Sequence, residues 1–300
     1  MVESIKLKNV VSGKSISLDM ITTQDYILNS VDWGAIESTH HSYKYVNQIG
    51  VYVTGTTLET RSVAIIGWII AENDKLMTAR KEILNRFVNP TQAIDLYYKK
   101  YKLRFLPNTS IKYAETEKDN NDVVCKFKIE GYCADPLFSE EMESKVTAAN
   151  TKALFHFPLI ISKVPNPPKG VVFGLRQPSL IVSVENKGAV DVGMKIIFKA
   201  NGKLVNPSLT NVRTQKYFKI NKTMSAGEEI VVDTIVGEKK IQGTINGSKM
   251  NYFKYLDLDS EWLQLSVGDN LFRYNADQNV ENLEVYIYYN NKYLEVQECY

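Results

Sequence analysis

Between Val123 and Glu130 the sequence alternates: Val123, Cys125, Phe127 and Ile129 fall on one side, and Val124, Lys126, Lys128 and Glu130 on the other. A period of two with charge on one face and apolar groups on the other is the pattern of a half-buried β-strand. Asp135-Pro136 then removes a ladder donor and biases the preceding residue to extended or turn geometry, which stops the strand. A charged segment, 139–145, follows, and the character of the chain changes after it. The strand therefore reads as the last of a first domain, residues 1–138. Residues 139–150 act as a linker, and 151–300 form a second domain. Three hundred residues give each part enough chain for its own core.

The first part reads as α+β. Residues 5–8 and 15–18 alternate around Gly13 as an opening hairpin, and 26–33 form an extended piece ended by Gly34. Polar residues dominate 37–48, which puts His40 and His41 in a loop, and 49–55 read as a strand with glycines at both ends. Residues 61–70 are apolar on both faces, so this strand is central or covered by a neighbouring subunit. Val63, Ile65, Trp68 and Ile70 are its candidate interface residues. One helix stands out, capped by Asn73 or Asp74. Leu76, Met77, Ile83, Leu84, Phe87 and Val88 form its apolar face, and Asn89-Pro90 ends it. Residues 94–98 and 101–105 bracket Lys99-Lys100 as a second hairpin, with a short strand at 111–114.

The second part reads as all β. Residues 165–170 are a rigid Pro-rich turn. Beyond it, Leu180, Val182 and Val184 alternate, as do Met194, Ile196 and Phe198, and then Leu283, Val285 and Ile287 against Glu284, Tyr286 and Tyr288. Asn246-Gly247 is the strongest hairpin signal in the chain. Short strands at this spacing, without helical periodicity, predict a β-sandwich or jelly roll.

Chemistry is sparse. Lys and Arg number 18 against 19 Asp and Glu in residues 1–150, and 18 against 15 in 151–300, so neither half is built to grip nucleic acid. Cys125, Cys133 and Cys299 show no CxxC and no companion histidine, which reads as free thiols; a Cys125–Cys133 disulfide requires the strand to fold back. His40, His41 and His156 have no metal-ligand spacing, and no phosphate-binding glycine loop occurs, so no catalytic, metal or cofactor site is expected. Asp257, Asp259 and Glu261 are the one acidic cluster. On a strand they share a face and suit calcium or a glycosidase pair; otherwise they form a solvated turn. Exposed tyrosines, of 18 in all, and Trp262 offer rings to a sugar, or pack. The first residues lack a signal-peptide layout, and the apolar run 63–71 falls short of the roughly 20 residues of a spanning helix. A soluble, unexported protein without membrane insertion is expected.

Several stretches taken together carry a family resemblance: 26–34, 131–138, 226–234, 255–274 and the tyrosine-rich 285–289. Their order and spacing resemble the siphophage distal tail protein (Dit) family, also known as phage tail family proteins, over nearly the whole chain. The resemblance implies a mainly β, two-domain protein: an α+β ring-forming domain with one helix, then a galectin-like or carbohydrate-module-like sandwich. It implies a homo-hexameric ring at the virion's tail tip, made and assembled in the bacterial host's cytoplasm. Its partners are then the tail tube protein, the tail-associated hub protein and receptor-binding proteins, with DNA only in transit through a central channel. No catalysis is needed for any of this. Near-neutral charge suits a lumen that DNA must traverse. The alternative reading is a carbohydrate-binding sandwich that contacts host cell-wall saccharide, and the weakest is a hydrolase using the 257–261 carboxylates.

Overall fold

The computed structural model describes residues 4–20, 25–116, 118–147, 150–153, 174–177 and 181–296. The Pro-rich turn at 165–170, His156, Leu180 and Cys299 lie outside these residues. The chain divides into two compact units, Met1–Met142 with Tyr293–Tyr300, and Glu143–Lys292. The division falls inside the 139–150 segment read as a linker. Where 151–300 are expected as the second domain, Tyr293–Tyr300 belong to the first unit. Tyr293 accounts for this: it is buried, its ring meets Tyr101 at 5.4 Å, and its hydroxyl donates to Glu140 at 2.9 Å.

The first unit runs β1 Ser4–Asn9, β2 Ser15–Asp19, β3 Tyr26–Asp32, β4 Ser38–Tyr43, β5 Tyr52–Leu58, β6 Arg61–Ile70, α1 Asp74–Phe87, β7 Ile94–Tyr98, β8 Tyr101–Pro107, β9 Lys112–Tyr113, β10 Val124–Cys133 and β11 Phe138–Glu140. Its main sheet closes on itself. The order β8-β7-β1-β2-β3-β6-β10 returns to β8 through Gly131↔Pro107 and Tyr132↔Leu106. Closure removes the free edges that an open sheet presents. Leu7, Leu18, Leu28, Val63, Ile65, Leu96, Leu103, Phe105, Phe127 and Ile129 are buried in its core. Gly131 permits the seam, because a Cβ there meets Phe105 Cδ2 at 2.5 Å and the Leu106 carbonyl oxygen at 2.6 Å.

The helix begins where expected, with Asn73 Oδ1 accepting from the Leu76 amide, and it buries Met77, Leu84 and Phe87. Ile83, expected on that face, is 55% exposed. It sits one step, about 100°, before Leu84 and so off the stripe. Asn9 ties the β1–β2 turn to the helix end. Its Oδ1 accepts from the Val11 and Ser12 amides, and its Nδ2 donates to the Phe87 carbonyl.

The second unit runs β12 Ser144–Thr147, β13 Asn150–Ala153, β14 Gly174–Gln177, β15 Ile181–Asn186, β16 Met194–Ala200, β17 Leu204–Asn211, β18 Tyr217–Lys219, β19 Thr223–Met224, β20 Glu229–Asp233, β21 Lys240–Ile245, β22 Ser248–Asn251, β23 Gly268–Gln278 and β24 Leu283–Tyr289; β25 Lys292–Tyr293 follows. One sheet has the order β12-β24-β16-β20-β21-β22, and the other β15-β23-β17-β18 with β19 on β17. Met194, Ile196, Phe198, Val285 and Ile287 from the first share a core with Val184, Leu209, Phe218, Phe272 and Tyr274 from the second. The unit is thus a β-sandwich. Asn246 and Gly247 both have positive φ, 49° and 79°, and close the β21–β22 hairpin as the primed turn the dipeptide predicts. The β13–β14 pair forms a separate two-stranded sheet. Beyond the sandwich, β25 adds next to β11 in the first unit's sheet.

Candidate assembly surfaces

The four interface candidates on β6 split between its two faces. Val63 and Ile65 point into the first unit's core and are buried there, so they have no surface to offer a neighbour. Trp68 and Ile70 are half-buried on the outer face, together with Ala64 and Ile66. Antiparallel pairing sets Ile27 of β3 and Lys126 of β10 on either side of Trp68, and Lys128 beside Ile66. The result is an apolar stripe, Ile27–Ile66–Trp68–Ile70, with a charged border. Lys126 Nζ stands 5.4 Å above the Trp68 ring. Glu130 is held by Lys112 Nζ at 2.5 Å and Lys128 Nζ at 2.6 Å. Hydrogen bonds from these lysines push its carboxyl down to about 2.

A second surface was not legible in the sequence. His40 and His41 lie in strand β4, not in a loop, and β4 pairs with β5 as a separate two-stranded sheet. Every residue of both strands is exposed. His40 Nδ1 and Thr56 Oγ1 are 2.9 Å apart, and His41 Nε2 and Thr57 Oγ1 3.3 Å, so the histidines brace the pair across the strands. Tyr43 packs against Tyr45 and Tyr52 at 4.9 and 5.2 Å between ring centroids. Val46, Val51 and Val53 add exposed apolar area, and Ile49 is 100% exposed. A lone two-stranded hairpin is marginal in water, and contiguous exposed apolar groups mark interaction sites.

The other candidates are occupied structurally. Asp257, Asp259 and Glu261 lie outside the strands, so the shared strand face does not form. Asp257 accepts from Asn221 Nδ2, the Tyr217 hydroxyl and the Asp259 amide, whereas Glu261 pairs with Lys216. Hydrogen bonding, chiefly from Asn221, holds the Asp257 carboxyl below its ordinary value. No group of three or more His, Cys, Asp or Glu among the described residues could hold a metal ion. Trp262 packs on Phe218 and Phe253 with Lys239 over its ring, and Lys145 covers both Tyr286 and Tyr288. Cys125 and Cys133 are free and buried. They sit at opposite ends of unbroken β10, about 26 Å apart at strand rise, which rules out the fold-back disulfide.

Residues 14–129 match the phage tail protein RIFT-related domain, and residues 187–293 match the siphovirus-type tail component, C-terminal domain. Among solved structures, the Dit protein of phage SPP1, described as a paradigm of the hub adsorption apparatus in Gram-positive-infecting phages, is similar at 13% identity and a TM-score of 0.65. The match covers 96% of this chain and 98% of that one. A chain of the phage P2 baseplate in its activated conformation with calcium is similar at 13% identity and a TM-score of 0.50, covering 99% and 100%. At such identity these likenesses establish the fold. No curated protein matches the chain.

Proposed function

This chain belongs to the siphophage distal tail protein family and is a structural protein of the phage tail, and we propose that it assembles as a homo-hexameric ring at the tail tip. The ring joins the tail tube to the tail-associated and receptor-binding proteins and leaves a central channel for DNA. The observation that carries the reading is a pair of different unpartnered surfaces on one unit, the β4–β5 hairpin and the Ile27–Ile66–Trp68–Ile70 stripe. Association through two unlike patches is heterologous, and it closes into a ring when the rotation permits. Trp68 and Ile70, on the outer face of β6, are its interface residues.

Mass measurement in solution tests it. The expected species has six times the 34.1 kDa chain mass, and Trp68→Asp reduces it to a folded monomer. A wild-type protein that stays monomeric at every working concentration overturns the ring. Nothing in this function calls for a catalytic group, and the carbohydrate reading has no observation of its own in its favour.

A further inference from the structure

Arg61, the first residue of β6, has a side chain with no exposed surface. Its Nη2 donates to the Leu294 carbonyl, Glu295 Oε1 lies 3.7 Å away, and its guanidinium carbon stands 4.7 Å from the Phe138 ring centroid. Its Nε and Nη1 are buried without a hydrogen-bond partner among the described residues. A guanidinium has five donors to satisfy, and unmet donors away from water are unfavourable. Among the described residues its cover is the short segment 293–296. Tyr293 is anchored by Tyr101 and Glu140 and Val296 is half-buried against the core, but Leu294 and Glu295 are exposed. Among the described residues closure rests on the pairing of β25 with β11, the Tyr293 ring and hydroxyl, the Val296 side chain, and the Leu294 carbonyl with the Glu295 carboxylate near by, and it is opposed by a desolvated cation.

We propose that residues 293–296 form a releasable strap over Arg61, which opens locally while the rest of the first unit stays folded. Opening hydrates all five guanidinium donors and leaves β11 as an open sheet edge. The device is independent of the ring, since it uses neither assembly surface.

Cys133 is the built-in reporter. It lies directly opposite Arg61 on β10, fully buried, and burial pushes its thiol up to about 12. Cys125, equally buried on the same strand, is the internal control. Native full-length protein is treated with iodoacetamide, and alkylation is resolved by peptide mass. Cys133 is expected to react at least about ten-fold faster than Cys125, because local opening precedes global unfolding. In Arg61→Met the apolar side chain gains nothing from water, so Cys133 slows by about ten-fold while Cys125 is unchanged. One common rate for both thiols in the wild type overturns the strap, as does a folded Arg61→Met protein in which Cys133 reacts as fast as before. The wild-type ratio decides without any variant.

Discussion

Gly131→Ala probes whether the first unit's sheet is closed. The added methyl meets two obstacles of different stiffness. Phe105 Cδ2, at 2.5 Å, can swing away with its ring, but the Leu106 carbonyl oxygen, at 2.6 Å, is backbone. Ordinary contact requires about 3.5 Å or more, so β8 and β10 must part by most of an ångström. Overpacking of this kind costs about 1–3 kcal/mol. The seam consists of two residue pairs, and each hydrogen bond lost there adds about 1 kcal/mol. The expected loss is therefore about 2–4 kcal/mol. Urea unfolding followed by tryptophan fluorescence measures it in a Trp262→Phe background, where Trp33 and Trp68 report the first unit alone. Gly55→Ala is the control: a Cβ at Gly55 meets nothing within 4 Å, so it should be neutral or stabilising by about 0.4–1 kcal/mol. A Gly131→Ala loss no larger than the control's change refutes the closed seam.

Tyr45→Ser combined with Ile49→Ser should leave the first unit's unfolding midpoint within about 0.5 kcal/mol of wild type, since both side chains are exposed, yet abolish self-association by light scattering. Glu130 titrates near 2 when folded against its ordinary 4.5. Its stabilising contribution is therefore full above about pH 4.5 and is lost as the pH falls towards 2. The gap in urea midpoint between wild type and Glu130→Gln should shrink over that window, and a constant gap counts against the lysine pairing. Asp259→Ala should leave the second unit's stability and the assembled mass unchanged, whereas Asp257→Ala should lower the unfolding midpoint, because only Asp257 bonds Asn221 and Tyr217.

Strands that bury one face in their own unit were legible because alternation records burial. β10, β16 and β24 show it in Phe127 and Ile129, Ile196 and Phe198, and Val285 and Ile287. The helix was legible from Asn73 and its stripe, apart from Ile83. β17 carries no legible alternation because Asn206, with φ 52°, and Pro207 interrupt its pattern. Barrel closure was illegible for another reason: no local pattern reports that Gly131 faces Pro107, since that pairing depends on strand order. The chain's return to the first unit likewise rests on Tyr293 and Leu294, two residues with no periodicity to announce them.

The two assembly surfaces sit at opposite extremes of the same signal. β6 carries apolar residues on both faces, more than its own unit buries, and so reads as a strand that is central or covered by a neighbour; it is central, between β3 and β10. β4, with sequence Ser-Thr-His-His-Ser-Tyr, carries no apolar alternation because neither face is covered within one chain, and so it read as a loop. Alternation registers the burial that a chain achieves alone. In the proposed ring the excess on one strand and the deficit on the other are complementary: the stripe gains cover, and the hairpin gains the third layer that a two-stranded ribbon lacks. Fixing the hairpin's backbone costs about 1–2 kcal/mol per residue, which the tyrosine cluster and cross-strand histidine bonds only partly offset. In the proposed ring the remainder comes from contact with another chain. On that proposal, order in residues 38–58 is coupled to assembly, and double substitution at Tyr45 and Ile49 tests the hairpin's part in it.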